Sequence, residues 1–565
     1  MHLGSVRIGA NSYLGEATVM DVNSELGDNA QLGNRSALHE GQKVAGGKKY
    51  HGSPAIVGDT DFIRVPVEDV SPARAWVYTL GQFLYGMLIG GPLVTAIMLM
   101  LMQYGFTGQS VTSGSAAASI SLPYTLGASL AFYFGAIVIG MISVSVMPKI
   151  WNLFFRPNEV HKLFGFQYFL AQRITASSNS QFLQALFGDS SLIVPYFKAV
   201  GYDLKNLTQN GSNFGVQQNH HSPFLCKFSQ NTLVSDGLFM INMDLSRTSF
   251  KMSPISVPKD AYLGNDLHYP PGAMVGENCL IATKAMVPID GDMRINVGVL
   301  GSPPFEIPRN KERDGRLDHY KQKGIFEQRL WLKLKSNLVT LGWFMLRNWS
   351  MLFIGLVAGS WLYASLGTTI FGNSLYGGAI VASFGLALLL FRSFYNITYE
   401  RAANWHRPGK PRICSLYERP FWDHERFWKL NYDPIRDNMF NGTPIKNLVL
   451  ICQGVNLGKQ VFDDGCGITE PFMVTIGDYC TLNYRTTVQC HSLEDGTFKS
   501  DSISIGARCT LGVDAFVHYG ADIGDDVDIR TDAFVMKGSI VADKEIWTGN
   551  PAQQMTEEQT FTSAA

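Results

Sequence analysis

Apolar residues recur at every sixth position in three separate parts of the chain. A period of six does not keep one helical face apolar, but three hexads make one triangular coil of a left-handed parallel β-helix. Each aliphatic side chain then points into a shared core. The inward positions are Ile8, Leu14, Met20, Leu26, Leu32, Leu38, Val44 and Tyr50; then Val257, Leu263, Tyr269, Val275, Ile281, Val287, Met293 and Val299; and finally Ile476, Leu482, Val488, Ile505, Leu511, Val517, Ile523, Ile529, Val535, Val541 and Trp547.

The three repeats end in the same way. Tyr50, Val299 and Trp547 each take the last inward position, and Gly-Ser-Pro or Gly-Asn-Pro begins two residues later. The sequence therefore predicts one module present three times. Because all three lie in one chain, we expect an internal pseudo-trimer whose clefts between modules are not equivalent.

Two long blocks contain no charged residue, residues 75–148 and 348–391. Each is long enough for two spans, since about 20 residues cross the hydrocarbon core of a bilayer. The predicted spans are 76–102 and 122–147, joined by a turn at 104–118, and then 349–367 and 373–392. Lys and Arg flank both hairpins and are missing from their turns, which predicts a multi-pass integral membrane protein with every β-helix module on the cytoplasmic side.

These patterns divide the chain into eight segments. Apolar stretches interrupted by Lys, Arg and Trp are predicted to be helices at the membrane surface. The segments are 1–66 (first module), 67–156 (transmembrane hairpin), 157–204 (interfacial helices), 205–310 (second module), 311–347 (interfacial helices), 348–400 (second transmembrane hairpin), 401–440 (linker) and 441–565 (third module).

Composition excludes several classes of function. The formal net charge is −1, so the chain has no basic footprint for nucleic acid. Charged residues make up 16% of the chain, against a usual 25%, and the deficit falls in the two charge-free blocks. The eight cysteines form no CxxC pair, which predicts reduced, core-filling thiols. No set of His, Cys and acidic residues has convincing ligand spacing, so we expect no metal site.

A polar arm at residues 487–501 interrupts the third repeat. It carries His491 with the acids Glu494 and Asp495, and it is the first candidate for chemistry. The alternative is a histidine that merely caps a loop beside two solvated acids, with Lys499 as their partner.

Other histidines are weaker candidates. His220 and His221, at the entry of the second module, could form a second reactive site or be turn histidines bonded to backbone. His518 could face the same cleft as His491 or lie on the coil surface. His39 and His51 have no supporting context.

The Gly549-Asn550-Pro551-Ala552 terminator, with a His-bearing arm upstream, resembles the hexapeptide-repeat acyltransferases. The resemblance implies that His491 is the general base. Glu494 or Asp495 could orient the imidazole or hold an acceptor ammonium, and His221 is a further catalytic candidate. It also implies a thioester donor along the coil, where we expect Trp547, Gly549, Asn550 and Pro551 to contribute to binding.

A longer resemblance covers nearly the whole chain. The order of modules and hairpins is similar to the carboxy-terminal region of ε-poly-lysine synthetase and related non-ribosomal peptide synthetase-like proteins. The motifs that carry it are residues 211–215, 223–226, 234–237, 299–309, 491–501 and 536–538. In that family the region follows adenylation and carrier domains, which implies such domains as partners, either in cis upstream of a fragment edge at residue 1 or in trans.

The function predicted from these observations is a membrane-bound acyl- or aminoacyltransferase that forms an amide bond. We expect no tightly bound cofactor, and a donor thioester on phosphopantetheine or coenzyme A. The expected partners also include membrane lipid and a second copy of the chain, and exclude nucleic acid. Two alternatives remain open: a non-catalytic membrane platform for a synthetase, and a small-molecule O- or N-acetyltransferase that uses acetyl-CoA.

Overall fold

The structure is a computed structural model that describes residues 3–100, 122–309, 319–320, 322, 324–372, 374–404 and 410–555. The predicted turn at 104–118 and residues 101–102 of the first predicted span lie outside the described residues. Short parallel strands form the first β-helix: β1 (Arg7–Ile8), β2 (Tyr13–Leu14), β3 (Val19–Met20), β4 (Glu25–Leu26), β5 (Gln31–Leu32), β6 (Ala37–Leu38), β7 (Lys43–Val44) and β8 (Lys49–His51). The strand β9 (Ile56–Val57) then pairs antiparallel with β8.

Helices follow this module. They are α1 (Pro72–Tyr85), continued by a π-helical turn (Gly86–Gly90) into α2 (Gly91–Met100), and then α3 (Leu122–Asn152). The second module follows with β10 (Val160–Lys162), α4 (Phe166–Ser178), α5 (Gln181–Phe187), α6 (Ile193–Val200), β11 (Gln218–His220), a 3₁₀ turn (Pro223–Leu225), β12 (Cys226–Phe228), β13 (Leu233–Val234), β14 (Leu238–Met240), β15 (Met243–Leu245), β16 (Ser249–Met252), β17 (Ile255–Val257), β18 (Tyr262–Leu263), β19 (His268–Tyr269), β20 (Leu280–Ile281), β21 (Val297–Leu300) and β22 (Phe305–Pro308).

The remaining elements repeat this order of helices and coils. They are α7 (Ile325–Gly372), α8 (Ser374–Ala403), β23 (Arg412–Ser415), α9 (Arg419–Asn431), α10 (Pro434–Met439), α11 (Pro444–Gln453), β24 (Asn456–Leu457), β25 (Phe462–Asp463), β26 (Gly467–Ile468), a 3₁₀ turn (Pro471–Met473), β27 (Val474–Ile476), β28 (Thr481–Leu482), β29 (Thr487–Gln489), β30 (His491–Glu494), β31 (Thr497–Ser500), β32 (Ile503–Ile505), β33 (Thr510–Leu511), β34 (Phe516–His518), β35 (Asp522–Ile523), β36 (Asp528–Ile529), β37 (Phe534–Val535), β38 (Ile540–Val541), β39 (Ile546–Thr548) and β40 (Gln553–Gln554).

The strand register shows why the hexads are spaced as they are. Leu14 pairs with Leu32, which lies three hexads later, so each coil consists of three hexads. Most predicted inward residues stack in the coil interior, where Leu32 and Leu511 are fully buried. The prediction for Met293 is wrong: it is 49% exposed, because the ladder pairs Val275 with Arg294 instead. Leu482 pairs with Leu511, which lies more than three hexads away, and the extra length forms the antiparallel hairpin of β30 and β31.

The second module contains a matching hairpin that the sequence pattern did not reveal. Val234 pairs with Leu263, a step of the same length as that from Leu482 to Leu511, and β15 and β16 form the antiparallel pair. Each hairpin gains a third strand from the preceding helical segment, β10 in the second module and β23 in the third. The two modules are therefore built on one plan, including their helical inserts.

Within the described part of the chain, three helices are long and apolar enough to cross a membrane: Leu122–Asn152, Ile325–Leu362 and Leu375–Ala403. The separate surface helices predicted for 311–347 are absent from the described part of that segment, because residues 325–347 belong to the continuous helix α7. The basic residues that suggested a membrane surface face other groups instead. Lys333 is buried and pairs with Glu425 of α9 at 2.5 Å, and Lys335 lies over the Trp331 ring.

The three terminators meet in a closed ring of backbone hydrogen bonds. Ser53 N–H donates to the Ser302 carbonyl (2.8 Å), Ser302 N–H to the Asn550 carbonyl (2.9 Å), and Asn550 N–H to the Ser53 carbonyl (3.0 Å). The side chains extend the ring, since Ser302 Oγ donates to the Arg35 carbonyl and Asn550 Nδ2 to the Lys284 carbonyl, both at 2.8 Å. The ring joins all three modules at one point.

A buried ion cluster surrounds this ring. Arg35 lies 2.8 Å from Asp266, while Lys284 lies 2.6 Å from Asp532 and 3.3 Å from Asp514. Burial alone would lower the pKa of the Arg35 guanidinium, but the surrounding carboxylates raise it above its ordinary value. The cations come from the first and second modules and the carboxylates from the second and third, so the charges hold the modules together.

Replacing one cation should therefore destabilise the whole assembly. Lys284→Met keeps the side-chain length but leaves Asp514 and Asp532 without their ammonium, and loss of one partner of a buried pair costs about 3–5 kcal/mol. Thermal unfolding of the detergent-purified protein measures the effect. Lys259→Met is the matched control, because its ammonium pairs with Glu277 in solvent. Equal unfolding midpoints for the two variants would contradict the role assigned to the cluster.

Candidate active site

The base of the hairpin in the third module holds His491 against a buried carboxylate. His491 Nδ1 donates to Glu470 Oε1 at 2.7 Å, and Glu470 is fully buried. Glu470 lies at the end of the coil below, because Ile468 pairs with Val488 in the parallel ladder. With Nδ1 donating to a carboxylate, a neutral His491 keeps Nε2 as its acceptor, which is the form that a general base requires.

Further donors converge on Glu470. His424 Nε2 (3.1 Å) and Trp428 Nε1 (2.6 Å), both on α9, donate to the same oxygen as His491. The second oxygen accepts from the Cys490 backbone N–H at 3.1 Å and from the Thr469 hydroxyl. Every approach to the carboxylate is thereby occupied, which fixes the orientation of the His491 ring.

The donors also set the charge of this carboxylate. Burial by itself would raise the pKa of Glu470, but His491 and His424 outweigh it and hold that pKa well below its usual 4.5. Burial lowers the pKa of His424, which therefore donates as a neutral ring. The Trp428 ring centroid lies 4.4 Å from that of His491, so the imidazole is held between an indole and a carboxylate.

His491 is 13% exposed and lines a cleft of about 480 Å³ between the second and third modules. The third module contributes a row of outward-facing residues from β26, β29 and β34. The opposite wall comes from the second module and includes Asp236, whose carboxylate accepts the backbone N–H groups of Val216 (2.6 Å) and Gln217 (3.1 Å). Burial raises the pKa of Asp236.

The two acids predicted beside His491 have other partners. Glu494 pairs with Lys537 at 2.8 Å, and Asp495 at the hairpin turn forms a bidentate pair with Arg309 at 2.7 and 2.8 Å. Arg309 follows the last strand of the second module, so its pair with Asp495 connects the hairpin to that module. Glu470 takes the position beside the imidazole that the sequence had suggested for Glu494 or Asp495.

The remaining predicted histidines do not line this cleft. His220 occupies an inward coil position, with Nδ1 2.9 Å from the Tyr202 hydroxyl and Nε2 2.8 Å from the Ser178 hydroxyl. His221 packs against the Phe239 ring, and burial lowers its pKa to about 4. His518 Nε2 donates to the His491 carbonyl at 3.1 Å, and burial lowers its pKa to about 3.

The residues predicted to bind the donor lie at the module junction. Asn550 belongs to the backbone ring, Gly549 has a left-handed φ of +97°, and Trp547 packs against the coil interior. None of these residues, nor Pro551, is among those that line the cleft at His491.

Sequence reasoning missed Glu470, His424 and Trp428. The repeat carried a partial signal for Glu470: three hexads back from Val488 reach Glu470 itself, although the ladder pairs Val488 with Ile468, two residues earlier. The hexads carry no such signal for His424 and Trp428. Both come from a helix outside the repeat, in the segment that was predicted to be a linker.

No family model matches the chain. The chain is 22% identical over 577 residues to delta-poly-L-ornithine synthetase of Acinetobacter baumannii (strain AB307-0294), a match that covers 97% of this chain and 41% of that protein. The resemblance to amino-acid-polymer synthetases is confirmed, and the chain spans about two fifths of the length of this relative.

Solved structures with a likeness include acyltransferases of the hexapeptide-repeat type. A hexapeptide-repeat acetyltransferase from Vibrio cholerae matches with 14% identity and a TM-score of 0.18, covering 21% of this chain and 84% of that one. Soybean serine acetyltransferase matches with 15% identity and a TM-score of 0.19, covering 42% and 93%. AntD, an N-acyltransferase from Bacillus cereus in complex with dTDP and coenzyme A, matches with 13% identity and a TM-score of 0.16, covering 22% and 100%.

Removing the charge of Glu470 should destabilise the site in a pH-dependent way. Because its pKa is lowered in the folded state, the carboxylate contributes stability at pH values above about 4.5, and this contribution is lost as pH falls through the folded-state pKa. Glu470→Gln should therefore cost about 3 kcal/mol at pH 7. Unfolding measured from pH 7 to pH 2 should show a constant gap from wild type above about pH 4.5 and a closing gap below it, whereas a gap that widens on acidification would rule out this linkage.

Proposed function

We propose that the chain is a membrane-bound acyltransferase that joins a thioester-bound acyl or aminoacyl group to an amine. The observation that carries this proposal is the 2.7 Å hydrogen bond between His491 and the buried Glu470 at the wall of an intermodule cleft. A histidine oriented by a carboxylate, with its other nitrogen directed away from that carboxylate, suits the removal of a proton from a nucleophile.

The reaction proceeds by acyl transfer at one carbon. The acceptor nitrogen attacks the thioester carbonyl carbon, and His491 Nε2 takes the proton that the nitrogen loses. The C–S bond breaks as the tetrahedral intermediate collapses, and the proton passes from His491 to the departing sulfur. An amide and a free thiol are the products. Glu470 stabilises the imidazolium that forms in between, because its carboxylate already faces His491 Nδ1.

Similarity to delta-poly-L-ornithine synthetase supports an aminoacyl donor, because a polymer of amino acids requires successive amide bonds. The donor would be carried on phosphopantetheine, with coenzyme A as the alternative carrier. Adenylation and carrier domains are the partners that this assignment requires, since an amino acid must be activated before transfer.

His491→Ala should reduce acyl transfer by about 100- to 10,000-fold, the usual contribution of a general base. Detergent-purified full chain is assayed with ornithyl-pantetheine thioester and ornithine, and the thiol and amide products are both measured. His51→Ala is the control, because His51 lies in the first module outside the cleft.

The assay also separates the alternatives. Transfer from acetyl-CoA, without transfer from the aminoacyl thioester, would identify a small-molecule acetyltransferase. Equal product formation by wild type and His491→Ala would remove the catalytic role and favour a platform for a synthetase.

We further propose that the long helices cross the membrane and that the β-helix modules lie on the cytoplasmic side. Leu375, at the start of α8, is 87% exposed and adjoins the charge-free turn between α7 and α8. A cysteine at Leu375 should react with a membrane-impermeant maleimide added to intact cells. A cysteine at Lys259, on the second module, should react only after permeabilisation, and the opposite pattern would reverse the orientation.

A further inference from the structure

The second and third modules can be compared residue by residue, because their ladders share one register. The inward pair Met240 and Tyr269 in the second module corresponds to Val488 and Val517 in the third, since each pair is separated by a hairpin of the same length. The helices α4 and α9 both have 13 residues and follow the strand that joins the hairpin. The second module can therefore be compared directly with the site at His491 in the third.

The second module lacks the acid–base groups. In this register Met243 stands where the third module has His491, and Ser222 stands where it has Glu470. The helices place Ala171 at the position of His424. None of these three residues can take or give a proton as an imidazole or a carboxylate does at neutral pH, so the second module is a copy without this catalytic machinery.

The space beside the site differs as well. On the second module, the outward row across three strands is Asn219, Phe239 and His268. The ring centroid of His221 lies 4.9 Å from that of Phe239, and that of Phe239 lies 5.6 Å from that of His268, so three rings pack together over this face.

On the third module the corresponding row is Gly467, Thr487 and Phe516. All three line the cleft beside His491. Phe516 is a bulky residue, as is His268 at the corresponding position of the second module. Gly467 and Thr487 are smaller than their counterparts Asn219 and Phe239.

The backbone does not require glycine at position 467. Its φ lies outside the left-handed region, and a Cβ built there meets nothing closer than the Thr486 carbonyl oxygen at 3.9 Å. The missing side chain therefore leaves open cleft rather than relieving a clash. Thr487 adjoins Gly467 in the ladder and continues the same open strip.

We propose that Gly467 and Thr487 are specificity-determining residues, whose small size creates the room in which the reacting groups meet His491 and limits the size of the acyl group accepted. The proposal rests on the proposed acyl transfer. Its basis is the contrast between two modules of one chain: the copy without the acid–base groups has this strip covered by rings, and the copy with them has it open.

The test introduces the second module's residues into the third. Thr487→Phe and Gly467→Asn are made in the full-length chain and assayed with ornithyl-pantetheine thioester and with acetyl-pantetheine thioester. Thr487→Phe should lower kcat/KM for the ornithyl donor by about 100-fold, since crowding displaces the reacting atoms. The loss should be at least about tenfold smaller for the acetyl donor, because a specificity residue discriminates by size.

Two controls separate cleft volume from folding. Thr487→Ser keeps the strip open and should retain the wild-type preference between the donors. Thr481→Phe places the same ring on the outward face of β28, away from the cleft, and should leave transfer unchanged. Equal effects of Thr487→Phe and Thr481→Phe on both donors would overturn the proposal.

A second readout does not depend on turnover. Diethyl pyrocarbonate modifies accessible imidazoles, and peptide mapping follows the modification of His491 alone. Thr487→Phe should slow it by about tenfold relative to Thr481→Phe, because the ring covers the approach from the cleft. Thr487→Phe could slow the modification although the wild-type chain transfers neither donor. That result would keep Thr487 beside the approach to His491 and would reject the acyl-transfer function. An unchanged rate in Thr487→Phe would reject the assignment itself.

Discussion

The ring of three backbone hydrogen bonds at the module terminators is the constraint on which the other intermodule contacts depend. Backbone groups buried at a junction must be paired, and here each terminator supplies the partner of another. Ser53, Ser302 and Asn550 can satisfy one another only if the three coils stand side by side in one register. That register places the hairpin of the third module against the wall of the second, and the cleft at His491 is the space that remains between them.

Covalent linkage allows the charges around this ring to differ between modules. Arg35, Lys284 and Asp532 each precede the last inward residue of their module by the same interval, so the three positions are equivalent. In a trimer of identical chains, one residue type would occupy all three positions, and three buried like charges would repel. In a single chain two cations and a carboxylate take these positions. Lys284 pairs with Asp532, and the two cations also pair with Asp266 and Asp514. For the same reason the second and third modules can differ at equivalent positions: the third module has His491 where the second has Met243.

Much of this architecture could be predicted because it depends on local periodicity. The hexads predicted most inward positions, with Met293 as an exception, the matched terminators indicated repeated modules, and the break after Val488 located His491. The hairpin of β15 and β16 was not predicted, because the hexads of the second module are clear only from Val257 onward, after the hairpin. The extent of α7 was not predicted, because charged residues such as Lys333 suggested a membrane surface. In the structure Lys333 is buried and pairs with Glu425, which is distant in sequence. Glu470 and His424 reach His491 through register and through a helical insert, and both are tertiary relationships that spacing along the chain does not encode.

The helix α9, which lies in the helical insert of the third module, contacts both α7 and the group of residues around His491. On α9, Glu425 binds Lys333 of α7, while the adjacent His424 binds Glu470. Trp428, one turn later on the same helix, donates to Glu470 and packs against the His491 ring. A helix is rigid over one turn, so the position of α7 and the orientation of the imidazole are not independent. Loss of the Lys333–Glu425 pair would leave a charge buried against α7, and the least costly relief is a displacement of α9, which carries both donors away from Glu470. The helix α7 therefore forms one side of the support that holds the His491 ring against Glu470.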